Sequence, residues 1–579
     1  MTPGVEATTG PLGQGFGNGV GMAIAEVHLA AHYNRPGFNI VDHYTYGLVS
    51  DGDLMEGVAS EAASLAGQLQ LGKLIYLFDD NHVTLSAGTN IAINEDCAQR
   101  FQAYGWHTQT VEDGNDLAAI DKALRAARSE TTRPSLILVR THLGYGSPKQ
   151  DTFEAHGSPL GVEEVKLTKQ NLGWPVEPLF LIPQAALAHF REALARGQRA
   201  EAEWHAHFSG YARKHPALAQ DFLQGMRGEL PPGWDADIPV FPADPKGMKT
   251  RVASGKVMSA IAPHLPSLFG GSADLDPSTH TALKDAGDFE PADRASGDTQ
   301  GSSGGGWNYA GRNLHFGIRE HGMGAILNGL ALHGGVIPYG ATFFVFSDYI
   351  RPAIRLAAMM GQRVIYVFTH DSIGVGEDGT THQPVEQLAN LRAVPRLVVI
   401  RPGDANETAC AWRVAIETPD RPVALVLTRQ DVSSLDRALY APAEGLRRGA
   451  YVLYEAAGGK PELILIATGS EVDLIVEAQK QLQKEGIQAR LVSMPSWELF
   501  DMQSEDYRRS VFPPSIRARL AVEAGATQGW HRYIGEWGDV IGLDHFGASA
   551  PAPILMREFG FTAENVCLRA RAVLERNRA

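Results

Sequence analysis

Asp51 and Asn81 are the residues of this chain whose types and spacing point most directly to chemistry. They lie in the stretch TYGLVSDGDLMEGVASEAASLAGQLQLGKLIYLFDDNHV. A strand over Tyr44 to Val49 is expected to end in a Gly-containing turn. A helix of small residues follows, and a second strand over Leu74 to Phe78 ends at Asp79-Asp80-Asn81. Parallel strands joined by a helix bring their C-terminal ends side by side, where open α/β sheets bind ligands. Asp51 and Asn81 then offer two hard oxygens at one point, while Gly52 and the helix start offer N–H groups suited to phosphate. Mg2+ takes one or two protein oxygens and completes its octahedron with phosphates, so the segment reads as a metal-diphosphate site. The plainer reading is that DG and DN are ordinary turn pairs.

A second concentration of polar residues lies further on. It comprises GGSADLDPS (Gly270 to Ser278), FGIREHGM (Phe316 to Met323), TFFVFSDYIRPA (Thr342 to Ala353), THDSIGVGEDGTTHQP (Thr369 to Pro384) and LTRQD (Leu427 to Asp431). Each polar group falls at the C-terminal end of an expected strand or the N-terminus of an expected helix. Taken alone, Glu320 reads as a helix-start charge favoured by the dipole. Phe343, Phe346 and Tyr349 read as a core stripe. Arginine suits phosphate because its planar fork makes paired, charge-assisted hydrogen bonds. Arg251 could equally be a surface residue, whereas Arg429 stands at a strand end. The turn Ala467-Thr-Gly-Ser-Glu471 is open between a phosphate cradle and a structural β-α turn, with the second favoured. His28, His32, His205, His207 and His215 are expected on polar helix faces.

The elements that must position these groups alternate strand-like and helical runs from Tyr44 to Thr141, the signature of a mostly parallel sheet. Residues 183 to 229 are polar and helix-prone, an extension rather than a core. The Pro-rich stretch 231–247 reads as an interdomain linker. A second α/β block follows, with strands near Val364 to Phe368, Leu397 to Ile400 and Val423 to Leu427, and with a flexible loop at Gly301 to Gly306. Past Leu435 a third block begins, in which Leu463 to Thr468, a helix to Glu485 and Ala489 to Met494 form another β-α-β unit. The expected division is 1–230, 231–247 as linker, 248–435 and 436–579.

At 579 residues the chain is too long for one core. Its 44% hydrophobic and 20% charged residues are those of a globular protein. No apolar run approaches a membrane span, and the N-terminus carries no signal-peptide pattern. A net charge of −15 disfavours nucleic acid as a partner. Cys97, Cys410 and Cys567 are few and widely spaced, against a disulfide framework or zinc site and in favour of a reducing cytoplasm.

The Asp51–Asn81 segment resembles the thiamine diphosphate motif, and the polar runs of the second block, with TTGPLGQG (Thr8 to Gly15), HGSPLG (His156 to Gly161) and ATGSEV (Ala467 to Val472), are similar to transketolases along almost the whole chain. The resemblance implies three α/β domains of mostly parallel sheets flanked by helices: a diphosphate-binding domain, a related pyrimidine-binding domain and a C-terminal domain. It implies thiamine diphosphate and Mg2+, with Ca2+ or Mn2+ as alternatives, held by Asp51, Asn81 and the Val83 carbonyl. Ser50 stands where the motif has its first Gly, which a negative φ would accommodate. The resemblance places Gly10, Leu12, Gly52, His156 and Asp274 about the diphosphate and thiazolium, and Phe343, Phe346 and Tyr349 about the aminopyrimidine. Glu320 becomes the carboxyl group that protonates that ring. Glu56 becomes a carboxylate communicating between the two sites of a homodimer. Arg251, Ser278, His370 and Arg429 become ligands of a sugar phosphate, Asp378 the reader of the C2 hydroxyl, and His382 the proton carrier, with His156 near the reacting carbon.

The implied activity is transfer of a two-carbon ketol unit from a ketose phosphate to an aldose phosphate through a thiamine diphosphate carbanion, a transferase reaction of pentose phosphate metabolism. Dihydroxyacetone synthase shares most of these residues, although the terminal ERNRA lacks a peroxisomal tripeptide. Relative to the family, about one hundred residues are expected to be missing before residue 1, a length comparable to a small domain. A misplaced start, a separate N-terminal partner chain or a truncated, non-catalytic cofactor-binding partner would each account for that.

Overall fold

Apolar runs bounded by turn residues become buried parallel strands where helices cover both faces of the sheet, and this happens three times. The computed structural model describes residues 4–295 and 300–578. The first sheet holds β1 (Thr45–Ser50), β2 (Leu74–Asp80), β3 (His107–Val111) and β4 (Ser135–Arg140), parallel in the order β1-β2-β4-β3. A short β5 (Asp244–Lys249) precedes the second sheet. This sheet holds β6 (Leu268–Ser272), β7 (Ile337–Phe343), β8 (Ile365–Thr369), β9 (Val398–Ile400) and β10 (Val423–Leu427), parallel in the order β6-β7-β8-β10-β9. β11 (Asp431–Ser434) pairs antiparallel with β5. The third sheet is β12 (Tyr451–Tyr454), β13 (Leu463–Ala467), β14 (Ala489–Ser493), β15 (Arg519–Val522) and β16 (Asp539–Ile541), in the order β12-β14-β13-β15-β16 with β12 antiparallel. The expected fold class is the observed one.

The first two blocks are locked together by two buried helices, Gln14–Tyr33 and Glu320–His333. Their backbones approach so closely that a Cβ on Gly21 would stand 2.1 Å from the Ile326 carbonyl oxygen, and one on Gly329 2.0 Å from that of Asn18. Only glycine permits that approach.

Three expectations about the chain are corrected, and the linker 231–247 is packed: Trp234, Ile238 and Phe241 are buried in the second block's core, and Asp244 opens β5. Apolar side chains set between the prolines hold it down, and the Asn406 amide bonds both the N–H and the carbonyl of Phe241 at 2.9 Å. The extension also reaches the core, since Phe208, Tyr211 and Phe222 are buried in the first cluster, with Tyr211 Oη donating to the Tyr33 carbonyl at 2.7 Å. The glycine loop 301–306 is tied to a buried carboxylate: the Ser303 N–H reaches Asp288 Oδ2 at 3.1 Å, and the Ser302 hydroxyl donates to the same group. His28 is not on a polar face; it is buried against Phe269 and Phe289, on the side of its helix turned to the second block. No helix among the described residues is long and apolar enough to cross a membrane.

Candidate active site

The pairing of Ser50 with Asp79 puts the ends of β1 and β2 side by side, and Asp51 and Asn81 directly follow those two ends. Ser50 takes φ −116°, so the missing glycine costs no strain there. Its side chain completes a capping box with Asp53: the Ser50 N–H and hydroxyl both reach Asp53 Oδ2 at 2.9 Å. The other oxygen of Asp53 accepts the Gly13 N–H at 2.8 Å, drawing the Gly10–Gly13 loop over the helix start. There a Cβ on Gly52 would stand 2.8 Å from Leu12 Cδ1.

Asn81 is buried. Its amide donates to Asp79 Oδ2 at 3.0 Å and its oxygen accepts the Val83 N–H at 2.9 Å. Asp51 is buried too, and its Oδ2 has no hydrogen-bond partner. Burial, then the neighbouring Asp80, push the Asp51 carboxyl up to about 6. An unpartnered buried carboxylate oxygen is costly unless a cation meets it. Among the described residues no group of three or more His, Cys, Asp and Glu side chains could hold a metal alone. A cation here would therefore rely on Asp51, Asn81, backbone oxygen and a diphosphate, a hard-oxygen set that suits Mg2+.

The second cluster stands on the C-terminal ends of β7, β8 and β10. Glu320, 8% exposed, opens its helix and accepts a hydrogen bond from Thr342 Oγ1 at 3.3 Å. The ring of Phe343 stacks 6.2 Å from Phe346, which stacks 5.8 Å from Tyr349, and His382 stands edge-on to Phe346 at 5.7 Å. The His370 ring lies 3.8 Å from that of Phe343. The Arg251 guanidinium reaches His370 Nε2 at 3.4 Å and the Ser278 carbonyl at 2.8 Å. Arg251 Nε is buried without a partner. Burial first, then Arg251 and Arg429, bring His370 down to about 3. Arg251 and Arg429 thus make the side of the cluster around His370 a cationic recess.

Other candidates lie apart. Asp274, with φ +62°, is exposed and lines a cavity of about 800 Å3 with Glu290, Arg294 and His315. His156 and Asp378 are exposed, and Glu56 is exposed at the cap between two helices. Glu56 still touches the first cluster through its N–H, which donates to the Asp53 carbonyl at 3.3 Å; among the described residues no hydrogen bond or ring contact joins the side chains of Asp274, His156 and Asp378 to the two clusters. One residue escaped the sequence reading: Glu61, whose Oε2 accepts the Gly322 N–H at 2.6 Å beside Glu320. Its only signal was a carboxylate inside a run of Ala, Gly and Ser.

A parallel α/β sheet with hard oxygens beyond its strand ends, joined to a second sheet carrying a carboxyl group and an aromatic row, is the arrangement of the thiamine diphosphate-binding class of enzymes. Comparison with known proteins narrows it. The models for the transketolase thiamine diphosphate binding domain, the transketolase pyrimidine binding domain and the transketolase-like C-terminal domain match residues 1–231, 246–434 and 449–562. The transketolase of Geobacillus stearothermophilus is 54% identical over 575 residues, covering 99% of this chain and 84% of that protein. That of Bacillus subtilis is 49% identical over 577 residues, with the same coverage. Among solved structures, transketolase from Leishmania mexicana superposes with a TM-score of 0.92 at 43% identity, covering 99% of this chain and 82% of that one. A Pichia stipitis transketolase in complex with sedoheptulose 7-phosphate gives a TM-score of 0.94 at 42% identity, covering 100% and 83%. The chain belongs to the transketolase family, and is a transferase enzyme of that family.

Proposed function

We propose that this chain transfers a two-carbon ketol unit reversibly between sugar phosphates, with thiamine diphosphate and Mg2+ held in its own pocket. One observation carries the reading: the row Glu320–Thr342–Phe343–His370–Arg251 puts a carboxyl group, an aromatic platform and a cationic recess along neighbouring strand ends of one sheet. Thiamine diphosphate, when bound, supplies the electron sink needed to break a carbon–carbon bond beside a carbonyl.

Asp51, Asn81 and the Val83 carbonyl would hold the cation, and the unpartnered Asp51 Oδ2 supports that fit. Glu320 holds a proton at the aminopyrimidine nitrogen, in a buried place where that hydrogen bond is strengthened. Phe343, Phe346 and Tyr349 orient the ring and exclude water from it. Arg251, Arg429, His370 and Ser278 grip the phosphate of the substrate, and Asp378 reads the hydroxyl beside the reacting carbon. His382 has its Nδ1 beside Thr381 Oγ1 at 2.9 Å, which leaves Nε2 to carry the substrate's proton. Leu12 and Tyr349, 47% and 63% exposed in one chain, support a homodimer in which a second copy covers them, with the pocket of one subunit facing the aromatic row of the other. Three free cysteines support a cytoplasmic setting.

The test is ketol transfer from xylulose 5-phosphate to ribose 5-phosphate by this chain with thiamine diphosphate and Mg2+. Turnover that disappears in Glu320→Ala is the expected result. Turnover equal in the variant and the native chain would overturn the assignment.

A further inference from the structure

The Ala467–Glu471 turn is occupied by a cation of the chain itself. Arg401 directly follows β9, fully buried, and its guanidinium lies against Gly469, where a Cβ would stand 2.5 Å from Cζ. Its Nη1 donates to Thr468 Oγ1 at 2.9 Å and to Glu471, and its Nε donates to Asp371 Oδ2 at 2.9 Å. Thr468 Oγ1 in turn donates to Glu523 Oε1 at 2.8 Å. Glu523 receives both arms of Arg392, at 2.7 and 2.8 Å, and the Trp530 indole N–H at 2.9 Å. Asp371, Arg392 and Arg401 stand on the second block, and Thr468, Glu471, Glu523 and Trp530 on the third. Ion pairs this deeply buried are retained poorly for stability alone, since apolar side chains of similar volume often serve as well.

What the network holds is the neighbour of a site residue. Asp371 follows His370, which takes φ +65°, a region that L side chains rarely adopt. Such a conformation persists where the surroundings over-determine it. The His370 ring is fixed by Phe343 and by Thr369 Oγ1, 2.8 Å from Nδ1. Its following residue is fixed by Arg401 and, through Arg401, by the third block.

We infer that Arg401 is a positioning residue for the phosphate recess: its grip on Asp371 keeps His370 in the left-handed conformation that turns the imidazole toward Arg251, so the C-terminal block sets affinity for the phosphorylated end of the substrate. This rests on the ketol-transfer reading. It gives the ATGSE turn a purpose other than binding a ligand.

Steady-state kinetics of the holoenzyme with xylulose 5-phosphate and with unphosphorylated xylulose as donors tests it. Arg401→Lys keeps the charge and loses the fork. Thr468→Val removes one bridging hydroxyl at nearly constant volume and serves if the lysine variant fails to fold, with Thr468→Ser as the conservative rescue. The expected result is a KM for the phosphorylated donor raised roughly tenfold, with kcat and the xylulose reaction little changed and Thr468→Ser close to native. Equal losses on both donors, or an unchanged KM in the folded variants, would overturn the inference. A native enzyme that turns over neither donor would overturn the ketol-transfer reading and this inference with it.

Discussion

Glu61 Oε2 accepts the Gly322 N–H at 2.6 Å, so the helix Gly57–Gln68 grips the first turn of the helix that carries Glu320. That N–H belongs to a helix end with no intrahelical partner of its own. Burial raises the Glu61 pKa above its ordinary 4.5, the Gly322 bond opposes the rise and Glu320 adds to it. The protonated form is therefore favoured in the fold. Its stabilisation is complete below the ordinary carboxyl pKa and is lost as pH rises through the raised value. In Glu61→Gln the melting temperature of the cofactor-free protein should fall less between pH 4.5 and 7 than in the native chain. Parallel profiles would show that Glu61 does not titrate in this way.

The opposite sign is expected at His370. Its pKa is lowered from 6.5 to about 3, so the unfolded chain binds the proton and stability is lost as pH falls below 6.5. At pH 5 the difference amounts to about 2 kcal/mol. In a phosphate-free buffer, urea unfolding of His370→Asn should decline less than native between pH 7 and pH 5. An identical decline would mean that the histidine is protonated in the fold.

Charge-assisted hydrogen bonds of the kind the cationic recess can make contribute roughly 1.5–3 kcal/mol each. Arg429→Gln should therefore raise KM for a ketose phosphate by about one to two orders of magnitude, and leave an unphosphorylated ketose nearly unaffected. A matching loss on both donors would place Arg429 outside phosphate recognition.

Asp51 carries an oxygen buried without a partner, a cost the cation is expected to offset. Asp51→Ala should raise the stability of the cofactor-free protein by about 1–3 kcal/mol and abolish the stabilisation that thiamine diphosphate with Mg2+ confers. Thermal melts with and without both additions read the two effects separately. Chelation of the metal by EDTA should mimic the second effect alone.

Overpacking checks the joint between the first two blocks. Gly329→Ala would drive a methyl group to 2.0 Å from the Asn18 carbonyl oxygen, for a loss of about 1–3 kcal/mol. A denaturation midpoint unchanged from native would mean that the two helices move apart freely.

Much of the fold was legible in the sequence. The run Leu74 to Phe78 is apolar throughout because β2 is covered on both faces, and such runs announce themselves. Where the reading failed, local composition was a poor guide to burial. His28 looks polar yet packs on Phe269, and the polar extension 183–229 nonetheless buries Phe208, Tyr211 and Phe222 in the first cluster.

By itself the sequence determined what one β-α unit can encode. Asp51 and Asn81 each directly follow one of two paired parallel strands, so their placement at one end of the sheet follows from the handedness and register of a single crossover. The residue types of the second cluster were equally plain. Only the tertiary structure decided which groups share a space: Glu61 with Gly322, Phe343 with His370, and Arg401 with Asp371 and Thr468. Such contacts arise from packing whole helices and sheets against one another, and from the need of each buried charge to find a partner. Neither requirement leaves a period in the sequence.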